Sequence, residues 1–233
     1  MREPLVLLAH GSRDPRAGAS TRALARAVAA AQPGLPVRVA FLDHAPPAPR
    51  ALLAGLAGAG HRRAVVVPLL LTSAYHGRVD VPAAVAGAPL DVAVAPVLGP
   101  DDLLVAGLRR RLPVPDADAV VLAAAGTRDP GALAAVEGAA AALGASLGVP
   151  CRTAYASASP PIVEAAIGAL RAGGARRVAV AAYFLAPGLL YDRIVTGAGP
   201  VPVAAPLGDA PELVRVVLDR YATASRLRLP AAA

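Results

Sequence analysis

Apolar residues in this chain gather in short continuous runs, and the stretches between those runs place apolar side chains at helical spacing. Runs at residues 5–9, 37–42, 64–71 and 91–97 have strand length and are rich in Val, Leu and Ala. They alternate with helical patterns near 21–31, 50–59 and 103–111, plus a shorter one after residue 79. A strand with no polar alternation is buried on both faces, which is the condition of a parallel sheet covered by helices. The pattern predicts an α/β fold.

The pattern then restarts. Strand-like runs at 119–124, 152–155, 177–184 and 201–204 are interleaved with helical stretches at 133–145, 162–172 and 211–224. Glycine and proline punctuate the joins, and "RLPVPDAD" at 111–118 reads as the linker. Two similar halves follow, each a parallel sheet of about four strands flanked by helices, with a cleft between them. Residues 1–113 form the first half and 117–227 the second.

The repeat is legible residue by residue. His10-Gly11-Ser12-Arg13-Asp14-Pro15 aligns with Ala125-Gly126-Thr127-Arg128-Asp129-Pro130 at an offset of 115, and "FLDHAPP" at 41–47 aligns with "YASASPP" at 155–161 at an offset of 114. At that second offset His76 meets Leu190. Thus His10, Asp43 and His76 become Ala125, Ser157 and Leu190, while the glycines and prolines largely persist.

Composition narrows the function. Hydrophobic residues make up 56% of the 233 residues but aromatics only 3%, so the core must be built from aliphatic side chains. The longest apolar runs stop well short of the roughly 20 residues that cross a bilayer. No membrane span is expected, and the N-terminal run leads into chemically loaded residues instead of a cleavage site, which makes the expected location cytoplasmic. One cysteine, Cys151, excludes an internal disulfide framework or a multi-thiolate metal site within one chain. Net charge is +7, and every basic side chain is Arg. These arginines are scattered and aromatics are scarce, so nucleic acid is not the expected partner. Guanidinium groups suit a polycarboxylate small molecule.

Ligands of open parallel sheets bind outside the carboxyl ends of the strands. His10, Asp43 and His76 each follow a different strand end of the first half, so three residues distant in sequence converge on one rim. Two imidazoles and a carboxylate suit a divalent first-row metal, and so few protein ligands leave it accessible. His44 adjoins Asp43 and is placed as its support, while His61 in "AGHRR" reads as a solvated loop residue. A phosphate-transfer or hydrolytic enzyme using His10 with Ser12 is the competing class, but the phosphate-loop pattern is absent and there is no lysine to complete it.

"LLAHGSRDPRA", "AFLDHAPPAP" and "VVVPLLLTSAYHGRVDVP" together resemble the signature segments of the class II tetrapyrrole chelatases, in their two-domain sirohydrochlorin cobaltochelatase and ferrochelatase group. The resemblance implies ATP-independent insertion of Co(II) or Fe(II), with Ni(II) as a further candidate, into sirohydrochlorin on the route to cobalamin or sirohaem. It implies His10 and His76 as metal ligands, and no permanently bound cofactor. The acid of the family after the second strand is usually Glu and here is Asp43, shorter by one methylene. The family segment H-x-x-E-D-I-P appears as His76-Gly77-Arg78-Val79-Asp80-Val81-Pro82. Catalytic work is expected of His10, His76 and Asp43. Contacts to the carboxylate rim of the substrate are expected from Ser12, Arg13, Arg78, Arg128 and Arg193. A monomer is expected, because the repeat supplies a second half, and a non-catalytic tetrapyrrole or metal carrier is the alternative function.

Overall fold

The structure is a computed structural model, and it describes residues 2–73 and 80–226. His76 and Arg78 lie outside the described residues.

By contact the chain divides into two compact units. The first comprises Met1–Leu98 together with the chain from Val214 onward, and the second is Gly99–Leu213. In the first unit, β1 (Leu5–Ala9), β2 (Val37–Phe41), β3 (Arg63–Pro68) and β4 (Asp91–Val94) form a parallel sheet in the order β2-β1-β3-β4. Helices α1 (Pro15–Ala31), α2 (Pro49–Gly58) and the short α3 (Val81–Val85) make the crossovers. The central strands β1 and β3 are almost wholly buried, as their unbroken Val and Leu content requires. One face packs Val6, Leu8, Ala64 and Val66 against Leu53 and Leu56 of α2.

In the second unit, β5 (Ala119–Ala124), β6 (Cys151–Tyr155) and β7 (Val178–Ala182) form a parallel sheet in the order β6-β5-β7. α5 (Pro130–Leu147) and α6 (Val163–Ala172) connect these strands, and α7 (Leu189–Ala198) follows β7. Residues 201–204, expected as a fourth strand, contribute only a single bridge between Val180 and Val203. Pro202 sits in the middle of that stretch and has no N–H for a ladder, so pairing stops almost as it begins. Further expectations need correction. β3 ends at Pro68 and β4 at Val94, each three residues before the predicted end of its run, and the sequence pattern predicts no helix where α7 forms.

α4 (Asp102–Arg111) and α8 (Pro211–Arg226) group differently from the sequence halves. α4 packs against α5 and β7. From Val214 onward α8 belongs to the first unit, where Arg220 donates to the carbonyls of Val97 at 2.9 Å and Leu98 at 2.8 Å, and the Tyr221 hydroxyl donates to that of Glu3 at 2.8 Å. The repeat in sequence and the grouping in space therefore divide the chain at different places.

α5 is long and apolar enough, by length and composition alone, to cross a membrane. Here it covers a sheet, burying Ala132, Val136, Ala139, Ala140 and Leu143, and its Gly144 approaches β6 so closely that an added Cβ would lie 2.9 Å from that of Cys151.

Candidate functional site

The carboxyl rim of the first sheet is built from main-chain hydrogen bonds that extend the ladder past the strands. Beyond the last β1–β2 pair, Ala9↔Phe41, the Leu42 N–H donates to the Ala9 carbonyl at 2.9 Å and the Asp43 N–H to the His10 carbonyl at 2.8 Å. His10 and Asp43 are thereby neighbours on the rim, 33 positions apart in sequence. Leu69 donates to the Leu8 carbonyl at 2.8 Å on the other side of β1, so the chain heading toward residue 76 also leaves from a strand adjacent to that of His10. The strand order changes direction here: from β1 the chain pairs with β2 on one side and β3 on the other, which is the topological switch point where open α/β sheets hold ligands.

Gly11 permits this arrangement. Its φ is +96°, and a Cβ there would lie 1.8 Å from the Asp43 carbonyl oxygen. Next to it, the Ser12 hydroxyl accepts from the Asp14 N–H at 3.0 Å, and Asp14 caps α1 by accepting from the Arg16 N–H at 2.9 Å. Ser12 is thus engaged in shaping the loop that carries His10. Arg16 grips the Asp14 carboxylate, and this pairing, with the cap, holds its carboxyl below the usual carboxylate range.

His10 is exposed at the rim, and the Asp43 side chain is 62% exposed. The His44 N–H donates to Asp43 Oδ1 at 2.7 Å, and His44 Nε2 lies 3.2 Å from Oδ2. Arg13 is exposed on the same loop as His10. Among the described residues no three His, Cys, Asp or Glu side chains cluster to hold a metal ion, and His76 falls outside that set. His61 follows α2 at the opposite end of the sheet, half-buried, and its N–H donates to the Leu56 carbonyl at 3.1 Å.

The second unit repeats the frame with other side chains. Gly126 has φ +93°, and a Cβ there would meet the Ser157 carbonyl oxygen at 1.8 Å. Thr127 accepts from the Asp129 N–H at 3.1 Å, and Asp129 caps α5 through the Ala132 N–H at 2.8 Å. Ala125 and Leu190, the counterparts of His10 and His76, both pack against the apolar core of this unit. Arg128 is exposed in the loop after β5, and Arg193 is exposed on α7. α7 also presents Leu189, 66% exposed and four residues before Arg193, hence on the same helical face. Leu189 was missed in the sequence; the flanking Gly188 and Gly199 and the Leu190/Ile194 spacing were the available signal for this helix.

Comparison with known proteins yields one family and several structures. The CbiX family model matches the chain twice, over residues 4–113 and 119–224. SirB from Bacillus subtilis with Fe3+ superposes with a TM-score of 0.84 at 22% identity, over 97% of each chain. The sirohydrochlorin chelatase SirB from Bacillus subtilis subspecies spizizenii, in complex with cobalt, gives 0.80 at 22% identity, again over 97% of each chain. CbiX, described as the terminal enzyme for biosynthesis of siroheme in denitrifying bacteria, gives 0.66 at 20% identity, over 98% of this chain and 100% of that one. At such identities the likeness speaks for the fold. No curated protein sequence matches the chain significantly.

Proposed function

The chain belongs to the CbiX family, and from that premise and the rim geometry we propose that it is a sirohydrochlorin chelatase, inserting Co2+ or Fe2+ into the macrocycle without ATP. The observation that carries the reading is the pairing of His10 with Asp43 at the switch point of one sheet, where the repeated frame in the other unit holds Ala125 and Ser157. A frame built twice and given an imidazole and a carboxylate only once has its chemistry on one side.

Insertion of a divalent ion into a tetrapyrrole releases two pyrrole N–H protons and strips water from the metal. In this reading His10 and His76 hold the ion through neutral imidazole nitrogens, which bind divalent metals without repelling them. Asp43 lies beside His10 on the rim, where a carboxylate compensates the incoming charge and receives protons leaving the ring. Arg13, Arg78, Arg128 and Arg193 are assigned to the carboxylate edges of the substrate, each capable of a two-pronged charge-assisted contact. Leu189 beside Arg193 adds apolar surface suited to a flat macrocycle. Ser12 shapes the loop that carries His10, and its hydroxyl, which accepts there, can still donate to a carboxylate of the substrate. The protein is assigned to the cytoplasm and to action as a monomer.

The test is anaerobic incubation of the protein with sirohydrochlorin and Co2+, Fe2+ or Ni2+, followed by absorbance. Many equivalents of metallated product per protein are expected. Formation of no more than one equivalent, with ligand retained, would instead identify a carrier. His10→Ala or His76→Ala should lower kcat by orders of magnitude while sirohydrochlorin still binds, whereas Arg128→Ala or Arg193→Ala should chiefly raise KM.

A further inference from the structure

Asp43 is tethered at both carboxylate oxygens by the residue that follows it, through the His44 main-chain N–H at 2.7 Å and the His44 ring at 3.2 Å. One residue reaches its neighbour in both ways only if the chain turns sharply between them. It does: His44 has φ +61°, in the left-handed region that residues with a Cβ seldom occupy. The turn is a property of the repeated frame and not of the histidine, because Ala158 at the matching position has φ +63°. The surrounding main-chain bonds match as well, with Ala45 donating to the Asp43 carbonyl at 2.8 Å and Ser159 to that of Ser157 at 2.7 Å.

The side chains divide the two loops. In the second unit the Ser157 and Ser159 hydroxyls donate to the carbonyls of Ala125 and Thr127, sewing one loop to the other. In the first unit those positions are Asp43 and Ala45; an ionised carboxylate cannot donate to a carbonyl, and Ala45 has no side-chain donor. The carboxylate is turned to His44 instead. Since the frame forms without any such pair in the second unit, the pair is not what builds the loop.

We propose that His44 is a positioning residue, which holds the Asp43 carboxylate in the outer sphere of the substrate metal and prevents it from becoming a further ligand. The proposal rests on the chelatase reading. To ligate a metal at His10, Asp43 must give up at least one of its two contacts with His44. With the ring removed, Oδ2 is released on a side chain already largely exposed beside His10 on the rim. An added anionic ligand strengthens holding of the bare metal, whereas the reaction requires release of that metal to the ring nitrogens, so tighter ground-state binding slows transfer.

The experiment compares wild type with H44A, H44Q, D43N and D43N/H44A. Alanine is acceptable at this φ, as Ala158 demonstrates, and the glutamine amide nitrogen can donate to a carboxylate oxygen. Co2+ alone is titrated while its ligand-field absorption is followed, and insertion into sirohydrochlorin is measured separately. H44A should bind Co2+ more tightly, with a changed spectrum and a lower kcat, and H44Q should restore both. D43N should keep the wild-type Co2+ spectrum and bind Co2+ no more tightly than wild type, and H44A should change neither spectrum nor affinity further in the D43N background. The proposal is overturned if H44A matches wild type in Co2+ affinity and spectrum, or if its effects persist in D43N/H44A. A changed Co2+ spectrum in D43N alone overturns it too, without depending on whether H44A folds. If wild type fails to insert metal, the chelatase reading itself falls, and that result is visible before any variant is read.

Discussion

Cys151 opens β6 half-buried, its Cβ against α5 where the missing side chain of Gly144 lets helix and strand approach. Burial pushes the Cys151 thiol up to about 11, and a backbone hydrogen bond involving Leu122 offsets only part of that. The thiolate is the reactive form, so alkylation by iodoacetamide at pH 8 should be much slower in the folded protein than in urea, and should climb toward pH 11. Equal rates in the two states would show the thiol to be accessible. The same shift has a stability consequence. Between the ordinary thiol pKa and about 11 the native state keeps a proton that the unfolded state has lost, so stability falls as pH rises through this window. The carboxylates act in the opposite direction: Asp118, held low by the N–H groups of Arg176 and Arg177, and Glu212, held low by Arg110, contribute above the ordinary carboxylate range and lose that contribution on acidification.

Helices α1 and α5 start in the same way, with an Asp cap, Pro at the first helical position, and a hydroxyl two residues before the Asp bonded to its N–H. This local device explains why "GSRDP" and "GTRDP" persist in both halves whether or not a histidine precedes them. Asp129→Ala removes the acceptor for the Ala132 N–H and should cost about 1 kcal/mol, measured as a lower urea midpoint with unchanged slope. An unchanged midpoint would mean that water or Thr127 replaces the cap. Strand and helix existence was largely legible in the sequence, because unbroken aliphatic runs and Gly or Pro breaks are local signals. The two failures were not local. Residues 201–204 look apolar enough for a strand, yet Pro202 withholds one ladder donor and only Ala204 donates to β7, and α7 carries a short, mixed pattern whose helicity is set by packing Leu190 and Tyr191 on the core.

At the scale of the molecule, the compact units are not the sequence halves. Gly99–Leu213 is continuous in sequence and contains the whole β6-β5-β7 sheet together with α4, which packs on α5 and β7. The first unit needs the chain beyond Val214, whose Arg220 and Tyr221 bind the carbonyls of Val97, Leu98 and Glu3. A fragment of residues 99–213 should therefore melt cooperatively by far-UV circular dichroism. A fragment of residues 1–113 should not, because it keeps α4 without its packing partners and lacks α8. A cooperative transition in the latter, with protected amides in β1 and β3, would reject the contact grouping as the folding unit.

The sequence by itself determined the fold class, the doubling of the frame and the residues that differ between the copies, because each is written in local periodicity or in direct comparison of aligned segments. His10 and Asp43 could be named from it, since strand ends are marked by the change from apolar run to polar loop. What the tertiary structure decided is everything that depends on which main-chain groups meet. The bond from the Asp43 N–H to the His10 carbonyl, the close approach of Gly11 to the Asp43 carbonyl and the left-handed turn that brings His44 onto the Asp43 carboxylate join segments more than thirty residues apart or require a dihedral that no residue pattern states. The placement of α4 and α8 was likewise decided only in space: an amphipathic helix encodes that it must be covered, but not by which sheet.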